Sequence, residues 1–216
     1  MFSTLIADAQ TFLRSLAQNN TRDWFSANKP RYESALRDPA LALLEDMAPR
    51  LAALTDCPVT PKLFRPYRDV RFSKDKTPYK IHLHMMWTPA TRTRQDPALF
   101  FGIAPAGVTV ATGMPEFTKP VLDDWRKMAD LDGAYLEDKI RAATDKGYAP
   151  WAPALKRVPA PYGKDHPHGD LLRHKGLVLA GSPDLSGNLP DRLTAAFADI
   201  WPVADMLIGV AETPTL

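Results

Sequence analysis

Tyr79-Lys80-Ile81-His82-Leu83-His84-Met85-Met86-Trp87 alternates with a period of two. Tyr79, Ile81, Leu83, Met85 and Trp87 fall on one side, and Lys80, His82, His84 and Met86 on the other. Successive side chains of an extended chain point to opposite faces, so the stretch reads as a strand with one face in a core. Downstream, residues 98–104 and 107–114 read as a hairpin. The uncharged run from Pro97 to Pro115 has the length of a membrane span, but Pro105 and Gly107 cut it into two short β-rich halves. Upstream, an extended 63–72 places Phe64, Val70 and Phe72 on one face and Arg65, Tyr67, Asp69 and Arg71 on the other. Arg68 points with the apolar set, so in a core it needs a carboxylate or several carbonyls. Residues 73–78 read as the turn between the two strands, and 177–180 as a further strand.

Helical spacing surrounds this β region. Leu5, Ile6, Ala9, Phe12, Leu13 and Leu16 mark a helix over 4–18, with Asn19-Asn20 as a left-handed stop. Thr21 caps a second helix bearing Trp24 and Phe25 as core anchors, and Pro30 opens its next segment. Pro39 opens a third, with Leu41, Leu44, Met47 and Leu51 on one stripe. Residues 120–128 and 135–146 are two more, and 189–210 is one or two closing helices bent near Pro202. Between them, 148–169 is rich in Pro, Gly and His and reads as a long loop. The expected fold class is α+β: one domain over 1–216, with an antiparallel sheet from about residue 60 to 114 flanked by N- and C-terminal helices.

With 216 residues and a formal charge of +2, the chain is long enough for a core without disulfides and too balanced for a general nucleic-acid coat. Its single cysteine, Cys57, reads as a small buried hydrophobe and fits a reducing compartment. The N-terminus has no basic, apolar leader pattern, so the expected location is the cytosol, with no membrane partner. Gly-rich phosphate loops, the dinucleotide fingerprint, the Gly-x-Ser-x-Gly elbow and His-Glu-x-x-His are absent from the sequence.

Against that balanced background, Arg65, Arg68, Arg71, Lys74, Lys76 and Lys80 face only Asp69 and Asp75 within residues 65–80. Clustered cations seek a counter-ion, and arginine grips phosphate or carboxylate through paired hydrogen bonds. Two readings stand side by side: an anion site, or an internal ion-pair network. His82 and His84, one residue apart on a strand, point the same way and would suit a metal only with further ligands from His166, His168, Asp165 or Asp170. No closed ligand set is visible, so no metal is assigned. If the 148–175 segment folds over the basic hairpin, Arg157 and Lys175 join the cleft. His166 with Asp165 would then be an acid–base couple.

The motif Arg65-x-x-Arg68-Asp69-x-Arg71-Phe72-x-x-Asp75-Lys76-x-x-Tyr79 resembles the signature of the DUF2461 family. Asn19-Asn20-Thr-Arg22-Asp-Trp24-Phe25 and the segments Leu155-Lys156-Arg157 and Asp165-His166-Pro167 are similar to its outer blocks. The resemblance implies a single α+β domain and carries no activity with it. His84 lies outside the pattern, which weakens the metal reading further.

The expectation is a basic cleft for a phosphorylated or carboxylated ligand, with enzyme and binder both open. Arg65 and Arg71 clamp the anion, Lys76 and Lys80 neutralise charge, and Arg68, Lys74, Arg157 and Lys175 are further ligand-binding residues. Tyr79, His82 and Asp75 line the site, and His166 and Asp69 are the acid–base candidates. The alternatives are a nucleic-acid-binding module using Tyr67 and Tyr79, or a purely structural arginine cluster. The cofactor and oligomeric state are not assigned.

Overall fold

The alternating stretch forms β2 (Leu83–Pro89), flanked by β1 (Val59–Leu63) and β3 (Ala98–Ala104). β4 (Gly107–Met114), β6 (Leu177–Gly181) and the two-residue β5 (Ala149–Pro150) complete a six-stranded sheet of order β1-β2-β3-β4-β6-β5. Every neighbouring pair is antiparallel. The structure, a computed structural model, describes residues 2–212.

Cross-strand register decides which side chains share a face. Pro61, Trp87, Leu99, Thr112 and Leu179 stand in one row, and Leu63, Met85, Phe101, Val110 and Gly181 in another on the same side. Helices α1 (Leu5–Gln18), α3 (Asp38–Thr55) and α6 (Leu189–Glu212) cover that side. Trp87 is fully buried there; its indole N–H donates to the Leu44 carbonyl at 3.0 Å, and its ring meets Phe197 edge-on. By length and composition α6 would pass for a membrane span, but Leu193, Phe197, Ile200, Val203 and Leu207 are buried in this core. The opposite side of the sheet carries Lys62, Met86, Phe100, Ala111 and Ala180 in one row, and no long helix among the described residues covers it.

Several expectations change in detail. α1 stops at Asn19, but with φ −135° and ψ 43° rather than in a left-handed conformation. Thr21 caps α2 (Arg22–Tyr32) as expected, its hydroxyl accepting from the Trp24 amide. Pro30 lies inside α2 instead of opening a segment, and a π-helical turn, Glu33–Arg37, joins α2 to α3. Leu41 is 36% exposed, off the buried stripe of Leu44, Met47 and Leu51. Cys57 is half-buried, its thiol 3.5 Å from the Thr55 hydroxyl.

The two helices expected over 120–146 are one element, α4 (Lys119–Thr144), kinked where Asp132 leaves helical geometry. Gly133 beside the kink has a packing role. A β-carbon there would lie 2.2 Å from the His168 ring, so glycine lets the loop carrying His168 close on α4. Gly-to-Ala in a helix normally stabilises by about 0.5–1 kcal/mol. Here Gly133→Ala is expected to lower the melting temperature instead, and an unchanged or raised value in a thermal melt would refute the packing role.

Candidate functional site

The basic stretch is a short hairpin that continues the β1–β2 pair with a break. Tyr67 and Tyr79 form an isolated antiparallel bridge, framed by the Arg68 amide to the Pro78 carbonyl at 2.9 Å and the Lys80 amide to Pro66 at 2.7 Å. The extended strand expected over 63–72 ends at Leu63, and Phe72 is 97% exposed instead of facing a core. Pro66 has no N–H to give a ladder, and Asp69 and Asp75 turn the chain by accepting amides two residues on, from Arg71 and Thr77. β2 also starts later than the alternation suggests. Residues 81 and 82 bend, leaving Ile81 41% exposed.

Within the hairpin most charges are already matched. Arg68 lies partly buried, its guanidinium donating to Asp75 and Thr77 and, at 3.5 Å, to Ser73. Arg71 chelates Asp69 through Nε and Nη2 at 3.0 and 2.6 Å, holding the Asp69 carboxyl below the usual range. Lys76 caps the carbonyls of Val70 and Arg71 at 2.9 and 3.4 Å. The Thr77 amide and hydroxyl and the Arg68 guanidinium bring the Asp75 carboxyl down to about 2. Tyr79 is buried, stacked on Phe25 at 4.0 Å, and its amide and carbonyl are clamped by the Asn20 side chain at 3.1 and 2.9 Å. Arg65 and Lys74 are exposed and make no hydrogen bond or ion pair with another described residue. Arg68, Asp75, Lys76 and Tyr79 therefore hold the hairpin's shape, while Arg71 is taken up by Asp69 at its surface.

The open face of the sheet carries the better site. An apolar groove of about 260 Å³ is lined by Phe64, Met86, Phe100, Trp151, Val178 and Ala180. At Phe64 the groove turns cationic, with the ammonium groups of Lys62 and Lys80 at 5.0 and 5.9 Å from its ring. Neither lysine is in an ion pair with a described residue. His84 packs edge-on against both Phe64 and Phe100 and stacks face to face on His82 at 3.6 Å. Gly102 makes room for this cluster, since a β-carbon there would lie 3.0 Å from Phe100 and 3.1 Å from His84. Stacked rings do not converge on one ion. Among the described residues, no three His, Cys, Asp or Glu side chains could hold a metal.

Burial, then the charge of the neighbouring groups, pushes His84 down to about 4, and burial with Lys80 lowers His82. Both rings are therefore neutral near pH 7. The unfolded chain takes up these protons near pH 6.5, before the folded one does, so the pair lowers stability as pH falls from about 6.5 toward about 4. His84→Gln is expected to flatten that part of a melting-temperature profile. Parallel profiles for wild type and variant would contradict the assignment.

The segment after β5 docks elsewhere than expected. His166 Nε2 pairs with Asp130 at 2.9 Å and His168 Nδ1 with Glu137 at 3.0 Å, both on α4. Asp165 meets Lys164 instead of coupling to His166. Leu155 bonds to the Arg173 carbonyl beside α5 (Gly169–Leu172), and Lys175 precedes β6, whose first residue pairs with Met114. The register puts this at the end of the sheet opposite the basic hairpin, so Arg157 and Lys175 do not join Arg65, Lys74 and Lys80. Only Trp151, at the start of the segment, reaches the groove. Lys62, Phe64, Phe100 and Trp151 are site residues that no local sequence pattern marks. Phe64 and Phe100 resembled core residues, and only pairing across strands brings the four together.

A larger cavity of about 490 Å³ lies between α4 and α6. Its buried carboxylate, Asp124, is already matched by Arg94 at 2.7 Å and Lys127 at 3.5 Å. The groove, with its unmatched cations, is the stronger candidate.

Fold and site together define an α+β protein with an antiparallel sheet shielded by helices on one face and grooved on the other. The family described as conserved hypothetical protein (DUF2461) matches residues 8–208, and the chain belongs to it. No curated protein matches the chain.

Proposed function

We propose that the open face of the sheet binds a small organic anion with a flat apolar body and a carboxylate or phosphate head. The observation that carries this reading is the meeting, at Phe64, of an apolar groove with two unpaired ammonium groups and two neutral imidazoles. Apolar walls with a few convergent polar groups are the usual make-up of a ligand site. The walls exclude water from the body of the ligand, and the lysines supply charge where its head emerges. The reading moves the anion site from Arg68 and Arg71, which are occupied within the hairpin, to Lys62 and Lys80. His166 and Asp69 stand outside it, each held by another partner. Proton transfer in the groove would fall to His82 and His84.

The test is calorimetric titration with aryl phosphates, aryl carboxylates, their neutral analogues and sugar phosphates. Aryl anions are expected to bind. Lys62→Ala/Lys80→Ala should weaken them by about tenfold or more, the scale of a lost charge-assisted hydrogen bond. Equal affinity for the neutral analogues, or no loss in the double variant, would defeat the proposal.

A further inference from the structure

We infer that the groove and the basic hairpin together form a track for single-stranded nucleic acid, with one base in the groove and another against Phe72. The inference rests on the groove reading and extends it to a ligand class.

Along the chain, Arg65, Arg68 and Arg71 lie between two aromatic stations. The first is the groove with Phe64, Phe100 and Trp151. Lys62 and Lys80 flank Phe64, and exposed Arg65 follows it in the chain. The second station is Phe72 at the hairpin tip, 97% exposed, with the Arg71 guanidinium 6.0 Å from its ring and exposed Lys74 two residues on. Single strands are held in this way: rings accept bases, which all have a π face, and cations between the rings meet the phosphates.

The tip is built to present its ring. Arg68 ties Asp75, Thr77 and Ser73 together, and Lys76 reaches back across the loop to the adjacent carbonyls of Val70 and Arg71. A preorganised loop loses little freedom on binding. Among the described residues, the Phe72 ring meets only Arg71. Residues 65–80 hold six cations against two carboxylates in a chain of formal charge +2, so the track is positive on a nearly neutral protein. An acidic protein is the competing partner. A convex tip with one ring offers far less than the roughly 1,200–2,000 Å² of a stable protein interface, and that reading leaves the groove unused.

The experiment is fluorescence anisotropy with labelled oligothymidylates, a dinucleotide and a strand of about eight residues, within the roughly 4–16 that such platforms cover. Wild type, Phe72→Ala and Lys62→Ala/Lys80→Ala are compared at about 50 and 200 mM salt. The longer strand is expected to bind about tenfold tighter than the dinucleotide and to weaken with salt. Phe72→Ala should remove most of that advantage while leaving the dinucleotide unchanged, and the double lysine variant should weaken both. If the longer strand gains nothing, or Phe72→Ala has no effect, the track is refuted while dinucleotide binding leaves the groove reading intact. If aryl phosphates bind and no oligonucleotide does, the nucleic-acid class is wrong and the groove stands. If no anion binds, both fall. Polyglutamate competing as well as unlabelled oligonucleotide would assign the tip to an acidic protein and overturn the inference.

Discussion

Gly113→Ala is expected to lower stability by about 2–6 kcal/mol, combining the strain of a non-glycine residue in a glycine-only conformation with overpacking. Gly113 sits in β4 at φ +136°, paired with Val178 of β6. A β-carbon there would lie 2.0 Å from the Leu177 carbonyl oxygen and 2.9 Å from the Val178 α-carbon. These are backbone atoms of a paired strand, so no rotamer change relieves the contact; β6 must move. Because Val178 and Ala180 line the groove with Gly113, the same substitution should weaken ligand binding. Urea denaturation measures the first effect, and amide exchange over 177–181 locates it. Gly107→Ala is the control, since a β-carbon at Gly107 meets nothing within 4 Å. A Gly113 variant within about 1 kcal/mol of wild type, inside the ordinary range for surface substitutions and their errors, would show that β6 accommodates the clash.

Arg68→Ala is expected to loosen the hairpin, and Arg71→Ala to leave it formed. Both arginines touch a carboxylate, but only Arg68 is partly buried and joins three separate points of the loop. Arg71 has a side chain 77% exposed and clasps Asp69 two residues away. Exposed pairs contribute little, because solvent replaces them. Hydrogen-exchange protection across 69–77 should fall by roughly tenfold or more in Arg68→Ala, the scale of one lost charge-assisted bond. Arg71→Ala should leave both that protection and the melting temperature in place. Equal loss in the two variants would mean that charge alone, not the Arg68 network, holds the loop. The pH behaviour separates as well. The Asp75 carboxyl, depressed in the folded protein, supports the loop above its ordinary value and loses that support only as pH falls toward about 2. The His82–His84 pair acts earlier, below about pH 6.5.

Local pattern was enough for much of the fold. The alternation through Leu83, Met85 and Trp87, the 98–104/107–114 hairpin, the strand at 177–180 and the N- and C-terminal helices could all be read from periodicity. Each records a single element burying one face, and the period belongs to the backbone geometry. The misplaced alternation at Val70, Phe72 and Ile81 shows where that logic stops. A period of two marks a strand only where a partner strand pairs with it, and Pro66 with two aspartate turns removes the partner. Arg68 does not enter a core, because the strand face it was expected to share is exposed at Phe72; it is nevertheless partly buried and pairs with Asp75.

The α+β class, the family and the cationic hairpin were legible before folding was known, because they depend on residues close together in the chain. Tertiary structure alone decided which cations remain available. Arg68, Arg71 and Lys76 are occupied by partners within the hairpin, whereas Lys62 and Lys80 form no ion pair with a described residue beside an apolar groove. That groove is assembled from strands as distant as Phe64 and Val178. Charge in a sequence is a sum, but binding depends on which charges folding leaves unmatched, and cross-strand register, a long-range property, settles that.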